Sequence, residues 1–423
     1  MLAASIEWEN ALTDNQFHIR APVGDDFLDP AEVAALDASA LRARTEAIVP
    51  LLRDRATEAE RLRRPDPEVW AAIRRSGFFY LFVPRAFGGL GADPDIFIDA
   101  ALPLAKADPG TAWSACFAAG HNHTVAHFPE AVQREVWGTS GYVVAPQVSM
   151  PPGMATRVDG GYRISGSWSW GSGIMDADHV VAVVMLGKPA ADAPPSMGLA
   201  LIAATEVTSR DTWHVAGLAS SGSNDVIADD VFVPEHRVLT NLTFFTGHNE
   251  HSRSYEAVFG FPAIPFSSFI AVVPILGAAM GLLDLYREAL PARVTKGSRS
   301  PLGENAAAQV RLARADVMID TADQLIRAAA RRALAATPLP NAEQVPVRAR
   351  LRMEFAYAAQ LCRDAARLIA DGAGSSIYRS DHPFQRLFRD IQVMSSHVAF
   401  DTDAVGEVHG RVLLGMPPNT MIL

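Results

Sequence analysis

Between Gly141 and Leu239 the hydrophobic pattern changes its period, and no other feature limits the possible folds as strongly. Alternating or β-branched runs occur at 142–144, 162–170, 179–186, 199–203 and 226–233. Turn clusters separate them, Pro151-Pro152-Gly153 and Ser220 to Asn224 among them, with a loop at Pro189 to Pro195. Short strands at this spacing predict an antiparallel sandwich or barrel. On either side the period is helical. Asp29-Pro30 and Asp66-Pro67 each read as an N-cap followed by proline at the first helical position. Further helical runs cover 94–107 and 109–128, whereas residues 1 to about 28 show no period and read as a loose arm. Beyond about 265, runs at 304–336 and 383–413 are helical. Leu351, Phe355, Ala358, Cys362, Ala365 and Ile369 form an apolar seam at three- and four-residue steps, with Arg348, Arg352 and Arg363 placed elsewhere on that helix. Long helices with short connections predict a four-helix bundle. The chain therefore reads as α+β, with an N-terminal helical domain (1–138), a β-domain (139–245) and a C-terminal helical bundle (246–423).

Ala257 to Leu283 carries no charge and is long enough to cross a bilayer. Pro262, Pro265 and Pro274 interrupt it, which favours a buried bundle helix over a membrane span. A net charge of −10 without a basic run argues against nucleic-acid binding. Two cysteines, Cys116 and Cys362, are too few for a disulfide framework and fit buried helix faces. Met1 to Asp26 shows no secretory pattern, so a cytoplasmic protein is expected.

The stretch Ser165 to Gly173 follows a turn at Asp159-Gly160-Gly161 and is unusual for a strand, with two tryptophans and four serines. Its glycines suggest a bulge or a close approach by a ligand or another backbone. Trp170 offers a flat face, and Ser172, two residues on, falls on the same side of a regular strand. That pairing suits a planar heteroaromatic cofactor with polar edges. It equally describes a core tryptophan beside turn serines. Some 45 residues later, Gly217 to Pro234 reads Gly-Leu-Ala-Ser-Ser-Gly-Ser-Asn-Asp-Val-Ile-Ala-Asp-Asp-Val-Phe-Val-Pro.

Trp170-Gly171-Ser172 resembles the Trp-(Ile/Phe)-(Ser/Thr) segment that the acyl-CoA dehydrogenase superfamily sets against its flavin, and Gly217 to Pro234 resembles that superfamily's second strand signature. The resemblance runs from about residue 30 to the end. It is closer to the two-component flavin-dependent monooxygenases, whose signature reads Gly-Leu-(Arg)-Gly-(Thr/Ser)-Gly-Ser-x-(Asp)-Val. Two departures separate this chain from the dehydrogenases. Where they carry Glu-Pro-x-x-Gly-Ser-Asp, it reads Ala145-Pro-Gln-Val-Ser-Met-Pro-Pro-Gly153. Where their Tyr-Glu-Gly-Thr supplies the catalytic base, it reads His397-Val398-Ala399. The Arg often third in the signature is Ala219.

The resemblance implies an acyl-CoA dehydrogenase-like fold, usually a homotetramer. It also implies an oxygenase component that takes reduced FMN or FAD from a separate NAD(P)H:flavin reductase. With O2 it would hydroxylate an aromatic or polycyclic small molecule through a C4a-hydroperoxyflavin. His397 and Ser172 would be catalytic. Trp170, Ser172, Ser221, Ser223 and Arg299 would hold the cofactor, and His121, Trp113 and Phe117 would line the substrate pocket. From the residues alone, His397 reads as an ordinary helical histidine and Ser221 to Ser223 as a turn, and Arg299 fits a surface-loop arginine as well as a cofactor contact. His121, His123 and His127 lack the further ligands of a zinc site, so no metal is expected. An FAD-containing acyl-CoA dehydrogenase or oxidase, or a non-catalytic binding protein on the same fold, are the alternatives.

Overall fold

A computed structural model describes residues 16–18, 27–138, 140–187, 196–247, 249–294, 300–420 and 423. A short strand β1 (Gln16–His18) precedes six helices: α1 (Pro30–Ala34), α2 (Ala38–Leu62), α3 (Pro67–Ser76), α4 (Pro94–Ala107), α5 (Pro109–Val125) and α6 (Glu130–Trp137). Asp29, Asp37, Asp66 and Asp93 each accept a backbone N–H of the turn that follows, so the aspartate-proline starts act as caps. Seven strands follow: β2 (Gln147–Val158), β3 (Gly161–Gly171), β4 (His179–Leu186), β5 (Met197–Ala203), β6 (Thr208–Arg210), β7 (Asn224–Pro234) and β8 (Val238–Leu239). The chain then returns to helices α7 (Ala263–Ala289), α8 (Ala306–Ala336), α9 (Asn341–Ala373), α10 (Pro383–Met394) and α11 (Thr402–Leu413).

The strands form one sheet, in the order β1-β6-β7-β3-β2-β4-β5-β8. Residues from β5 and β7, well apart in that order, share one apolar cluster (Ala200 and Ile202 with Val226 and Val231), so the sheet encloses its own core. Three sequence expectations need correction here. The sheet is not wholly antiparallel, because β2 runs parallel to β4. Pro151-Pro152-Gly153 does not end a strand. It lies inside β2, where the register against β4 shifts between Val148 and Gly153, and a bulge tolerates residues that cannot donate to the ladder. The N-terminal segment is not all loose either, since Gln16–His18 pairs antiparallel with β6.

The uncharged stretch forms α7, whose most apolar window is 89% buried inside the fold. It packs into the core with the seam of α9, where Leu351, Phe355, Ala358, Cys362, Ala365 and Ile369 are all buried. Arg348 was expected off that face but is buried as well. It stands three residues before Leu351, on the same side, and its Nη1 donates to Asn341 Oδ1 at 2.8 Å. The helix expected over 383–413 is two helices. Ser395 and Ser396 hydroxyls bond back to the Gln392 carbonyl at 3.3 and 2.8 Å, which competes with the helix. Asp401 then caps a new start at α11. His397 lies in the break, extended at φ −61° and ψ 143°, not on a helix.

Candidate flavin and substrate site

Three segments meet at one place: the end of β3, the loop before β7 and the face of α5. Of the two tryptophans in β3, Trp168 is the core residue. It is fully buried and donates from Nε1 to the Val183 carbonyl at 2.9 Å. Gly153 and Gly166 make room for it, because a Cβ at either would stand 2.3 or 2.6 Å from its ring. These glycines therefore serve Trp168. The register between β3 and β7 shifts between Trp168 and Gly171. Trp170 sits at φ +68° with 68% of its surface exposed. Trp170 and Ser172 are thus not successive same-side residues of a regular strand, since the strand ends at Gly171.

The 217–223 loop is held from both sides. Gly217 lies against the Arg389 carbonyl, where a Cβ would stand 2.6 Å away. Leu218 (φ +63°) donates its N–H to Asp390 Oδ1 at 2.5 Å. Ser220 donates to Asp108 Oδ1 at 3.1 Å, and Thr111 donates to the other oxygen of Asp108 at 2.5 Å. Ser114 donates to the Ser221 carbonyl at 2.7 Å. Gly110 admits this approach, because a Cβ there would stand 2.1 Å from Ser220 Oγ. Burial raises the Asp390 carboxyl to about 7, with the charge of Asp108 adding and Arg386 opposing. Asp108 is likewise raised by burial. Sequence reading missed this clamp. Asp108 lies just before the helical run at 109–128, and nothing local marks it as buried.

Ser221 and Ser223 are nearly fully buried. Their hydroxyls face each other at 2.7 Å, and Ser223 Oγ is 2.9 Å from Ser172 Oγ. Trp113 Nε1 donates to Ser172 Oγ at 3.1 Å. From Trp113 a row of rings runs along α5, with Trp113 to Phe117 centroids 4.9 Å apart and Phe117 to His121 5.4 Å. Four-residue spacing puts all three on one helix face. Beyond them, Thr124 donates to Gln147 Oε1 at 3.2 Å, a polar end that the sequence did not announce. His397 stands 5.8 Å from Trp113, centroid to centroid. Its Nδ1 accepts the Ala399 N–H at 3.2 Å, so the neutral ring carries its proton on Nε2. Burial lowers both His397 and His121 to about 4. His121 Nδ1 is buried without a hydrogen-bond partner.

Ser172, Ser221, Ser223, Trp113, Phe117, His121 and His397 thus form one connected group. Arg299 lies outside the described residues. His123 and His127 belong to another environment. His123 stacks on Phe266 at 3.9 Å, and His127 stacks on Phe244 and bonds Ser252 at 2.9 Å. No group of metal-ligating side chains occurs among the described residues. The residues fit a flavin: Trp170 exposes its ring two residues before Ser172, the Ser172 hydroxyl heads the serine chain, and His397 adds an N–H beside Trp113.

Residues 269–402 match the family of acyl-CoA dehydrogenase C-terminal domains. The chain is 32% identical over 385 residues to the oxygenase component of an FADH2-dependent resorcinol hydroxylase from a Rhizobium species, covering 89% of this chain and 94% of that one. Its fold superposes on 3-HSA hydroxylase from Rhodococcus sp. RHA1 with a TM-score of 0.84 at 29% identity, over 92% of this chain and 100% of the other. XiaF from Streptomyces sp., solved with FADH2 and glycerol, gives a TM-score of 0.82 at 28% identity, over 93% and 99%. On this similarity, and with the β-domain and helical bundle in place, the chain belongs to the oxygenase components of two-component flavin-dependent monooxygenases, in the acyl-CoA dehydrogenase superfamily.

Proposed function

We propose that this protein hydroxylates a phenolic aromatic or polycyclic small molecule, using reduced FMN or FAD delivered by a separate reductase. The observation that carries the reading is the meeting of Ser172, Trp113 and His397, which come from a strand end, a helix face and a helix break. Bound reduced flavin supplies the activation of O2. Trp170, Ser172 and the 217–223 loop hold it, and the buried Trp113 beside the half-buried His397 limits water at the reacting edge. Trp113 and Phe117 give the substrate ring two aromatic walls. The unpartnered Nδ1 of His121 is available to a substrate hydroxyl. His397, neutral with its proton on Nε2, offers a hydrogen bond to an oxygen at the reacting centre. A histidine here, in place of the dehydrogenase carboxylate, favours oxygenation over α-proton abstraction. The departure is compatible with the relatives' names, which are those of hydroxylases.

The same reading includes a cytoplasmic homotetramer. Val310 and Val317, exposed and seven residues apart on one face of α8, support association through the bundle. The division into 1–138, 139–245 and 246–423 belongs to the reading too. Anaerobic titration tests it, with reduced and oxidised FAD and FMN compared and phenol-dependent O2 uptake measured afterwards. Reduced flavin is expected to bind at least about tenfold more tightly. Equally tight oxidised FAD that acyl-CoA bleaches would overturn the reading.

A further inference from the structure

The three serine hydroxyls form a chain whose hydrogen-bond direction can be worked out. Each hydroxyl has one proton and two lone pairs. Trp113 Nε1 can only donate, so it fills one lone pair of Ser172 Oγ. The remaining contacts, Ser172 to Ser223 at 2.9 Å and Ser223 to Ser221 at 2.7 Å, can point either way. If Ser172 donates inward, Ser223 either donates to Ser221 or accepts from it as well. In the first case the Ser221 proton, in the second the Ser223 proton, lacks an acceptor at a buried position, since among the described residues these two hydroxyls bond only within the chain of serines. If Ser221 donates to Ser223 and Ser223 to Ser172, both buried protons have acceptors and both lone pairs of Ser172 are occupied. The Ser172 proton is then directed away from the chain. An unsatisfied buried hydroxyl costs about 1–3 kcal/mol, so the outward direction prevails.

We propose that Ser223, backed by Ser221, is a positioning residue that turns the Ser172 hydroxyl proton toward the site opening, so that Ser172 meets its ligand as a hydrogen-bond donor. Neither Ser221 nor Ser223 then needs to touch the cofactor, which agrees with their burial. The 217–223 loop contributes polarity through the chain, and the clamp of Asp108, Ser114 and Asp390 sets that loop at the required height. The proposal rests on the flavin reading above.

A double-mutant cycle tests it. Affinity for reduced FAD and reduced FMN is measured by anaerobic titration in wild type, Ser223→Ala, Ser172→Ala and the double variant, alongside the H2O2 released per product formed. Ser223→Ala is expected to weaken reduced-flavin binding roughly three- to tenfold and to raise H2O2 release. In the Ser172→Ala background the same substitution should change nothing, because Ser223 acts only through Ser172. Ser223→Thr should restore affinity to within about twofold, and Ser223→Cys, similar in volume but a weak donor, should not. Additive effects of the two alanine substitutions would overturn the proposal, as would a Ser223→Cys protein that binds like wild type. Failure of the wild type to bind reduced flavin would overturn the functional reading instead, so the two failures are distinguishable.

Discussion

The His397 ring stands edge-on to the Trp113 indole, with centroids 5.8 Å apart and planes inclined by 66°. This contact joins the break between α10 and α11 to the N-terminal part of α5, two places far apart in sequence. It also packs a neutral imidazole against the indole whose N–H engages Ser172. A donor already committed (Trp113), a hydroxyl (Ser172) and an imidazole N–H (His397) thus meet at one place.

His397→Ala is expected to lower the hydroxylation rate by roughly a hundredfold or more, in the usual range of a lost proton-handling group. The melting temperature should move little, because His397 caps only a three-residue turn. An unchanged rate of coupled hydroxylation would remove His397 from the mechanism.

Burial lowers His397 to about 4, so the ring should stay neutral at pH 6, where an exposed histidine is largely protonated. Stability from this group is fully present above the ordinary histidine value near 6.5. It is lost as pH falls from there toward about 4, because the unfolded chain binds the proton first. Nitrogen-15 NMR of the histidine rings should show His397 as the Nε2–H tautomer at pH 6. A charged ring at that pH would contradict the assignment.

Asp390 works in the opposite sense. Its carboxyl is raised to about 7 in the fold, against about 4 in an unfolded chain. Its contribution is fully present below the unfolded value and declines as pH rises through about 7. Asp108, Arg386 and Glu60 are the charged groups acting on it. Asp390→Asn keeps an acceptor for the Leu218 N–H and removes the ionisation. Denaturant unfolding at pH 5.5 and 8 should show a smaller loss of stability with rising pH in the variant. Identical pH dependence would show that Asp390 does not titrate in this range.

The two tryptophans of β3 should separate cleanly. Trp168→Ala is expected to cost about 3–5 kcal/mol of stability, through the cavity and the abandoned Val183 carbonyl. Trp170→Ala should cost under about 1 kcal/mol, since Trp170 is largely exposed, but should weaken reduced-flavin binding several-fold. Thermal melts and flavin titrations of both variants decide this, and equal losses of stability would refute the division.

Gly110→Ala should disturb flavin binding without reaching the site itself. Its Cβ would meet Ser220 Oγ at 2.1 Å, forcing the loop off Asp108. Affinity for reduced flavin is expected to fall at least about threefold. An unchanged affinity would mean that loop position is not critical.

By itself the sequence determined the architecture, because period is local. Alternation from Gly141 to Leu239 and the seam from Leu351 to Ile369 each report which face of an element is buried, without reference to distant residues. Caps such as Asp29 and Asp66 are equally local. The resemblance at Trp170 to Ser172 and at Gly217 to Pro234 picked out two segments of the candidate site, and the departure at His397-Val398-Ala399 a third. Tertiary structure decided what depends on contacts across the chain. Trp168, not Trp170, is the core ring because Gly153 lies opposite it. Asp108 and Asp390 became buried clamps because α5 and α10 close on the 217–223 loop from two sides. Only the fold brought Ser221 and Ser223 to Ser172, making a directed chain out of what reads locally as a turn. Hydrogen-bond partners separated by 51 to 172 residues leave no local pattern, since either partner alone is an ordinary residue on an ordinary loop or helix.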